Sequence, residues 1–120
     1  MKFRVMIVKN NGQPVGVRAG AINGRVIVLA LRDEPEQMNW HDAVKIGIPT
    51  KEEWMAIAEN LDAVNAALIR AGGEPLKNDW YWSSSEYSSN YAWNARLKYS
   101  YLDNDDKANY NLYVRPVLAF

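Results

Sequence analysis

The stretch Trp80-Tyr81-Trp82-Ser83-Ser84-Ser85-Glu86-Tyr87-Ser88-Ser89-Asn90-Tyr91-Ala92-Trp93-Asn94 decides how this chain is read. Trp80–Ser84 alternates aromatic and polar residues, as a half-exposed strand does, and residues 91–97 alternate again. It also opens an aromatic-rich half. Residues 80–120 hold eleven of the 14 aromatics, whereas residues 1–79 hold only Phe3, Trp40 and Trp54. Twelve of the 14 are Trp or Tyr, which pair a flat apolar body with a polar tip and are enriched in binding surfaces. The plainer alternative is that several of them are core.

Downstream, residues 98–111 (KYSYLDNDDKANYN) are polar and turn-rich with no sustained period, which predicts a long irregular region. Leu112–Phe120 reads as a closing strand, with Pro116 at a bulge or an edge because it cannot donate to a ladder. Upstream, Phe3–Val8 and Pro14–Arg18 read as short strands, with Gly20 and Gly24 as turn residues around Ala21–Asn23. Arg25–Leu31 is apolar enough for a strand buried on both faces. Asn39 caps a short helix through Lys45. Thr50-Lys51-Glu52-Glu53 is a capping box, in which the Thr hydroxyl and the Glu carboxylate each satisfy a backbone amide of the first turn. Trp54, Ile57, Ala58 and Leu61 follow at helical spacing, and Val64, Ala67, Leu68 and Ala71 continue it. Asn60–Asp62 offers a break into two helices, and Gly72-Gly73 a stop. Strands, then helices, then strands predict an α+β fold with an antiparallel sheet, two or three helices and a long irregular C-terminal loop region.

Composition narrows the function. The 120 residues fit one domain, 1–120, able to bury about two-thirds of its unfolded surface. With no cysteine, the chain has no disulfide, no thiolate metal site and no cysteine nucleophile. A single histidine, His41, leaves little room for a His-based metal cluster or an ordinary Ser-His-Asp triad. Fourteen Lys+Arg against 14 Asp+Glu give zero formal charge, which argues against a nucleic-acid partner. No apolar run approaches the roughly 20 residues of a membrane span, so no membrane insertion is expected. The N-terminus reads as a strand and not as a signal peptide, and the localisation stays open.

Three chemistries compete on the remaining residues. Ser83, Ser84, Ser85, Ser88 and Ser89 lack a G-x-S-x-G elbow, and backbone capping explains them better than catalysis. Asp103-Asn104-Asp105-Asp106 supplies hard oxygen ligands, but an EF-hand register would put Lys107, Ala108 and Val114 where a ligand, a glycine and a glutamate belong. A solvated acidic turn is the reading, with no metal and no cofactor. Arg96, Tyr99, Tyr101, Asp103, Asp105, Asp106 and Tyr110, by contrast, mix rigid contact area, acceptors and a guanidinium fork as antibody loops do. Ligand binding is therefore expected of these seven residues.

The runs Tyr81–Asn90 (YWSSSEYSSN), Ala92-Trp93-Asn94 and Tyr113-Val114-Arg115-Pro116-Val117 closely resemble a bacterial and phage family ending in patterns such as YWSS-[ST]-EYSS-N-x-AWN … YVRPV. Residues 27–31, 37–43 and 48–53 are also similar to it, so the resemblance covers about 25–120. It implies the C-type lectin-like fold in its formylglycine-generating-enzyme branch, where many members are variable proteins of diversity-generating retroelements. In those, adenine-directed mutagenesis of Asn-type codons rewrites a C-terminal ligand-binding segment. The residue types at 95–97, 99–103, 105, 106, 108, 110 and 112 can arise from an AAY codon, whereas Lys98, Lys107 and the tryptophans cannot. The enzymatic branch depends on cysteines absent here, and the calcium-dependent sugar motif is only partly echoed by Glu74-Pro75-Leu76 and Trp93-Asn94-Ala95. The resemblance thus implies a non-enzymatic scaffold that binds a protein or glycan on another cell or virion. It also implies a wider binding set, Tyr91, Arg96, Tyr99, Tyr101, Asp103, Asn104, Asp105, Asp106, Tyr110 and Leu112, within a display segment of about 91–112. Trp80, Trp82 and Trp93 would anchor it, Arg115 would pair with Glu86, and Tyr99, Tyr101 and Tyr110 would face the partner. The alternative is a structural, self-associating virion or surface component, and the oligomeric state stays open.

Overall fold

A computed structural model describes residues 4–119. Phe3 and Phe120, placed by sequence in the first and last strands, lie outside the described residues. The chain is α+β: two antiparallel three-stranded sheets and three α-helices.

The first sheet joins β1 (Met6–Asn10), β2 (Gln13–Ile22) and β3 (Arg25–Ala30) in chain order. Both turns use an Asn-Gly pair at positive φ, Asn11-Gly12 (52° and 79°) and Asn23-Gly24 (51° and 78°). That is the hairpin turn whose twist matches its strands. Gly20 belongs to β2 and not to a turn, as the sequence had suggested. It sits at a register shift against β3, beside Ala56 and Ile57 of α2.

The helices follow the local signals. Asn39 caps α1 (Trp40–Ile46) by accepting from the Asp42 N–H. Thr50 and Glu53 close the capping box of α2 (Lys51–Ala58) in both directions, and Arg25 pairs with the buried Glu53 at 3.3 Å. The chain breaks at Asn60, and α3 (Leu61–Arg70) ends in a Schellman motif. There Gly72 at φ 82° donates to the Ile69 carbonyl and Gly73 to Leu68.

The second sheet joins β4 (Trp80–Glu86), β5 (Tyr91–Arg96) and β6 (Tyr101–Asp106). Two expectations are corrected here. Trp80–Ser84 is not half exposed: Tyr81, Trp82 and Ser83 are all buried. The sheet lies between two cores, so alternating residues find cover on either side. Tyr81 and Ala95 join Trp54, Ile57, Leu68 and the first sheet's Val17, Ile27 and Leu29. Trp82 and Ala92 join Trp40, Ala43, Ile48 and Val114. Residues 98–111 are also not one irregular loop. A 3-10 turn at Leu97–Tyr99 and a left-handed Ser100 (φ 53°) lead into β6, which pairs with β5 over its whole length.

The segment after Asn111 is a further correction, because it forms no ladder strand. It bonds to a different element every few residues. Leu112 exchanges bonds with Met38, Tyr113 with Trp80 and Trp82, Pro116 accepts from Ala30, Val117 donates to Gly47 and Leu118 to Val28. The segment ties both sheets to α1, a task a single ladder could not perform. Pro116, which has no N–H, serves as an acceptor only.

Candidate functional site

Cross-strand partners in an antiparallel pair share a sheet face. Arg96 is opposite Tyr101, Asn94 opposite Asp103 and Ala92 opposite Asp105, on the same face as Trp80 and Trp82. Tyr91, Trp93 and Ala95 are opposite Asp106, Asn104 and Leu102, on the face towards α2. The ten expected binding residues therefore do not form one uniform surface. The structure brings Arg96, Tyr99, Tyr101, Asp103 and Asp105 together. Tyr99 and Tyr101 lie 5.5 Å apart at 31°, and the Arg96 guanidinium lies 5.2 Å from the Tyr99 ring. Arg96 Nε also donates to Asn78 Oδ1, which fixes the fork in place. Tyr99, Tyr101 and Tyr110 are 46%, 57% and 51% exposed.

The others stand apart. Tyr91 and Asn104 point to the α2 side, Tyr110 lies beyond the strand, and Leu112 is half-buried against the Trp40–Trp82 core. Asp106 closes a turn: its carboxylate accepts from the amides of Ala108 and Asn109, which hold its pKa below the usual carboxylate value. Asp105 accepts from Asn94 Nδ2 at 2.6 Å, and Asp103 from the Asn104 N–H at 2.8 Å. Among the described residues, no three His, Cys, Asp or Glu side chains are grouped to hold a metal. Asn94, wholly buried, keeps an Oδ1 with no hydrogen-bond partner.

The serines bond to backbone: Ser83 Oγ donates to the Trp93 carbonyl, Ser85 Oγ accepts from Lys51 N–H, and Ser88 Oγ from Tyr91 N–H. His41 is exposed, packed edge-on to Trp40 at 5.5 Å. Of the three tryptophans expected as anchors, only Trp82 is wholly buried, and Trp80 and Trp93 are half-buried. Lys51 lies over the Trp93 ring at 4.5 Å, and Tyr87 meets its edge at 5.1 Å.

Arg115 does not pair with Glu86. It bonds Asp33 at 2.7 Å through Nε and donates to the carbonyls of Ala30 and Glu74 through its other nitrogens. It lies wholly buried and needs a buried acid, which the exposed Glu86 is not. Asp33 also receives Lys77 at 3.1 Å and the Tyr81 hydroxyl at 3.0 Å. Burial first, and then the Asp33 charge, push the Tyr81 hydroxyl well above its ordinary value.

Glu86 instead takes Lys107 at 3.1 Å. Lys107 is 3% exposed, donates from Nζ to the Ser89 carbonyl, and lies 4.5 Å over the Trp40 ring. Its backbone N–H bonds Asn90 and its carbonyl accepts from Trp40. Lys107 clamps the end of β6 to the β4–β5 turn and to α1. Sequence reasoning missed this role, because the partners Glu86, Ser89 and Trp40 lie 18 or more positions away in the chain. No known family model matches the chain, and no curated protein matches it. Among the described residues, no helix is long and apolar enough to cross a membrane.

Proposed function

We propose that this chain is a non-enzymatic recognition domain, a C-type lectin-like variable protein of the diversity-generating-retroelement kind, that binds a protein or glycan on another cell or virion. One observation carries the reading: Tyr99, Tyr101 and Asp103 stand exposed beside Arg96 at the free edge of the second sheet, whose strand β6 is laddered along its whole length to the largely buried β5. Rigid aromatics on a fixed backbone give contact area at low entropy cost. The positions that an AAY codon cannot reach support it in part. Lys107 and Trp82 are buried frame, while Lys98 is exposed. Ala95 and Leu97 are buried, Asp106 closes a turn and Leu112 packs on the core although their residue types are reachable, which narrows the free set to Arg96, Tyr99–Asp103, Asp105, Ala108 and Tyr110.

The test is a labelled chain applied to a glycan array and to a panel of intact bacterial cells, beside the triple variant Tyr99→Ala/Tyr101→Ala/Tyr110→Ala. Binding that disappears in the variant while the melting temperature stays within a few degrees supports recognition. A wild-type chain that sediments as a tight oligomer and falls apart on the triple substitution favours the self-associating component instead.

A further inference from the structure

β6 ends its sheet. Its ladder partner is β5, and among the described residues no backbone bond from another element reaches 101–106. An antiparallel ladder uses every second residue of an edge strand and leaves the alternate N–H and C=O groups facing outward. The Asn104 N–H shows this state, because it bonds the neighbouring Asp103 side chain and not a strand.

The two faces beside this edge differ. Towards α2, a groove of about 310 Å³ is lined by Ile22, Met55, Ala56 and Leu102, with Lys51 and Glu59. On the other face stand Tyr101, Asp103 and Asp105, with one cation, Arg96 of β5, beside Tyr101 at the far end from Asp105. A second copy of β6 is a poor occupant, since it would set three aspartates against three. A strand of opposite charge fits.

We propose that the outer edge of β6 accepts an extended, basic segment of a partner protein by strand addition, its apolar residues entering the Ile22–Met55–Leu102 groove and its alternate Lys or Arg residues meeting Asp103 and Asp105. Backbone bonds supply affinity in this mode, and the alternation of side chains supplies specificity. The proposal deepens the recognition reading and rests on it, naming the partner's chemistry at the same surface.

The test uses the whole chain and three short acetylated, fluorescent peptides: alternating Val and Lys, the same residues in two blocks, and the alternating peptide N-methylated at every second amide. Anisotropy should show the alternating peptide binding at least about tenfold tighter than either control. Leu102→Glu and the pair Asp103→Asn/Asp105→Asn should each weaken it by a similar factor, with melting temperature confirming that the variants fold, and Ile69→Ala, at an exposed position of α3, should leave it unchanged. Equal binding of the alternating and block peptides shows plain charge attraction and overturns the proposal, as does the absence of binding by all three. Cell or glycan binding that depends on the tyrosines while no peptide binds leaves the recognition reading standing and removes strand addition. Edge-specific peptide binding in a chain whose cell and glycan binding ignores the tyrosines does the reverse.

Discussion

β5 and β6 are paired residue for residue, from Tyr91↔Asp106 to Arg96↔Tyr101, yet their side chains meet different worlds. In β5, Ala92, Asn94 and Ala95 are buried; in β6, Tyr101, Leu102 and Asp103 are exposed and the other three are half-buried. β5 is central and places a side chain in each core, whereas β6 is an edge with no residue in either. Tolerance to substitution therefore follows position in the sheet and not strand content. A complete ladder on one side, and Lys107 at the end, fasten this strand through contacts that its outward side chains do not make.

The largest effect should come from the frame. Arg115→Met leaves Asp33 buried with fewer partners, and breaking a buried ion pair costs about 3–5 kcal/mol. Denaturant unfolding measures it, and a loss below about 1 kcal/mol would mean that the Arg115–Asp33 contact does not hold the two sheets together. The same cluster predicts alkaline sensitivity. Tyr81 stays neutral in the folded chain, while in the unfolded chain it ionises near pH 10. Its contribution is complete below about pH 10 and is lost as the pH rises further. A melting-temperature series against pH should fall more steeply above that value than for Tyr81→Phe.

Lys107→Met probes the join between frame and edge. It removes two charge-assisted contacts but strands no buried anion, because the Glu86 side chain is 62% exposed. We expect a loss of about 1–2 kcal/mol, partly restored by Lys107→Arg, with faster hydrogen exchange concentrated in the β6 amides. Uniform acceleration across both sheets would count against a local clamp. Smallest of all should be Leu102→Ser and Asp103→Ala, each within about ±0.5 kcal/mol. The cross-strand partners make the contrast sharp. Ala92→Asp, which buries an unpaired carboxylate, should cost several kcal/mol, while Asp105→Ala directly opposite should be mild apart from the lost Asn94 bond.

Much was legible because it is local. The Thr50–Glu53 capping box, the Asn39 cap, the helix break at Asn60 and the Gly72-Gly73 stop each depend on residues within one turn, and each stands where the residues put it. The aromatic and acidic mix of 96–110 was legible as composition, but its division between two faces was not, since facing depends on register with β5. β6 itself was hidden. Tyr-Leu-Asp-Asn-Asp-Asp has weak strand propensity, and a ladder partner supplied from outside the segment overrides it.

The amino-acid order by itself determined the α+β class, the helix caps and stops and the absence of cysteine chemistry, because these follow from backbone preferences and side-chain type. Only the tertiary structure decided that Arg115 meets Asp33 across 82 positions of chain and that Lys107 fixes the end of β6. It also decided that Leu112–Ala119 ties the sheets together without joining a ladder. The partner of a buried charge is set by whichever acid the packing of distant elements brings within hydrogen-bond reach. No local pattern carries that information.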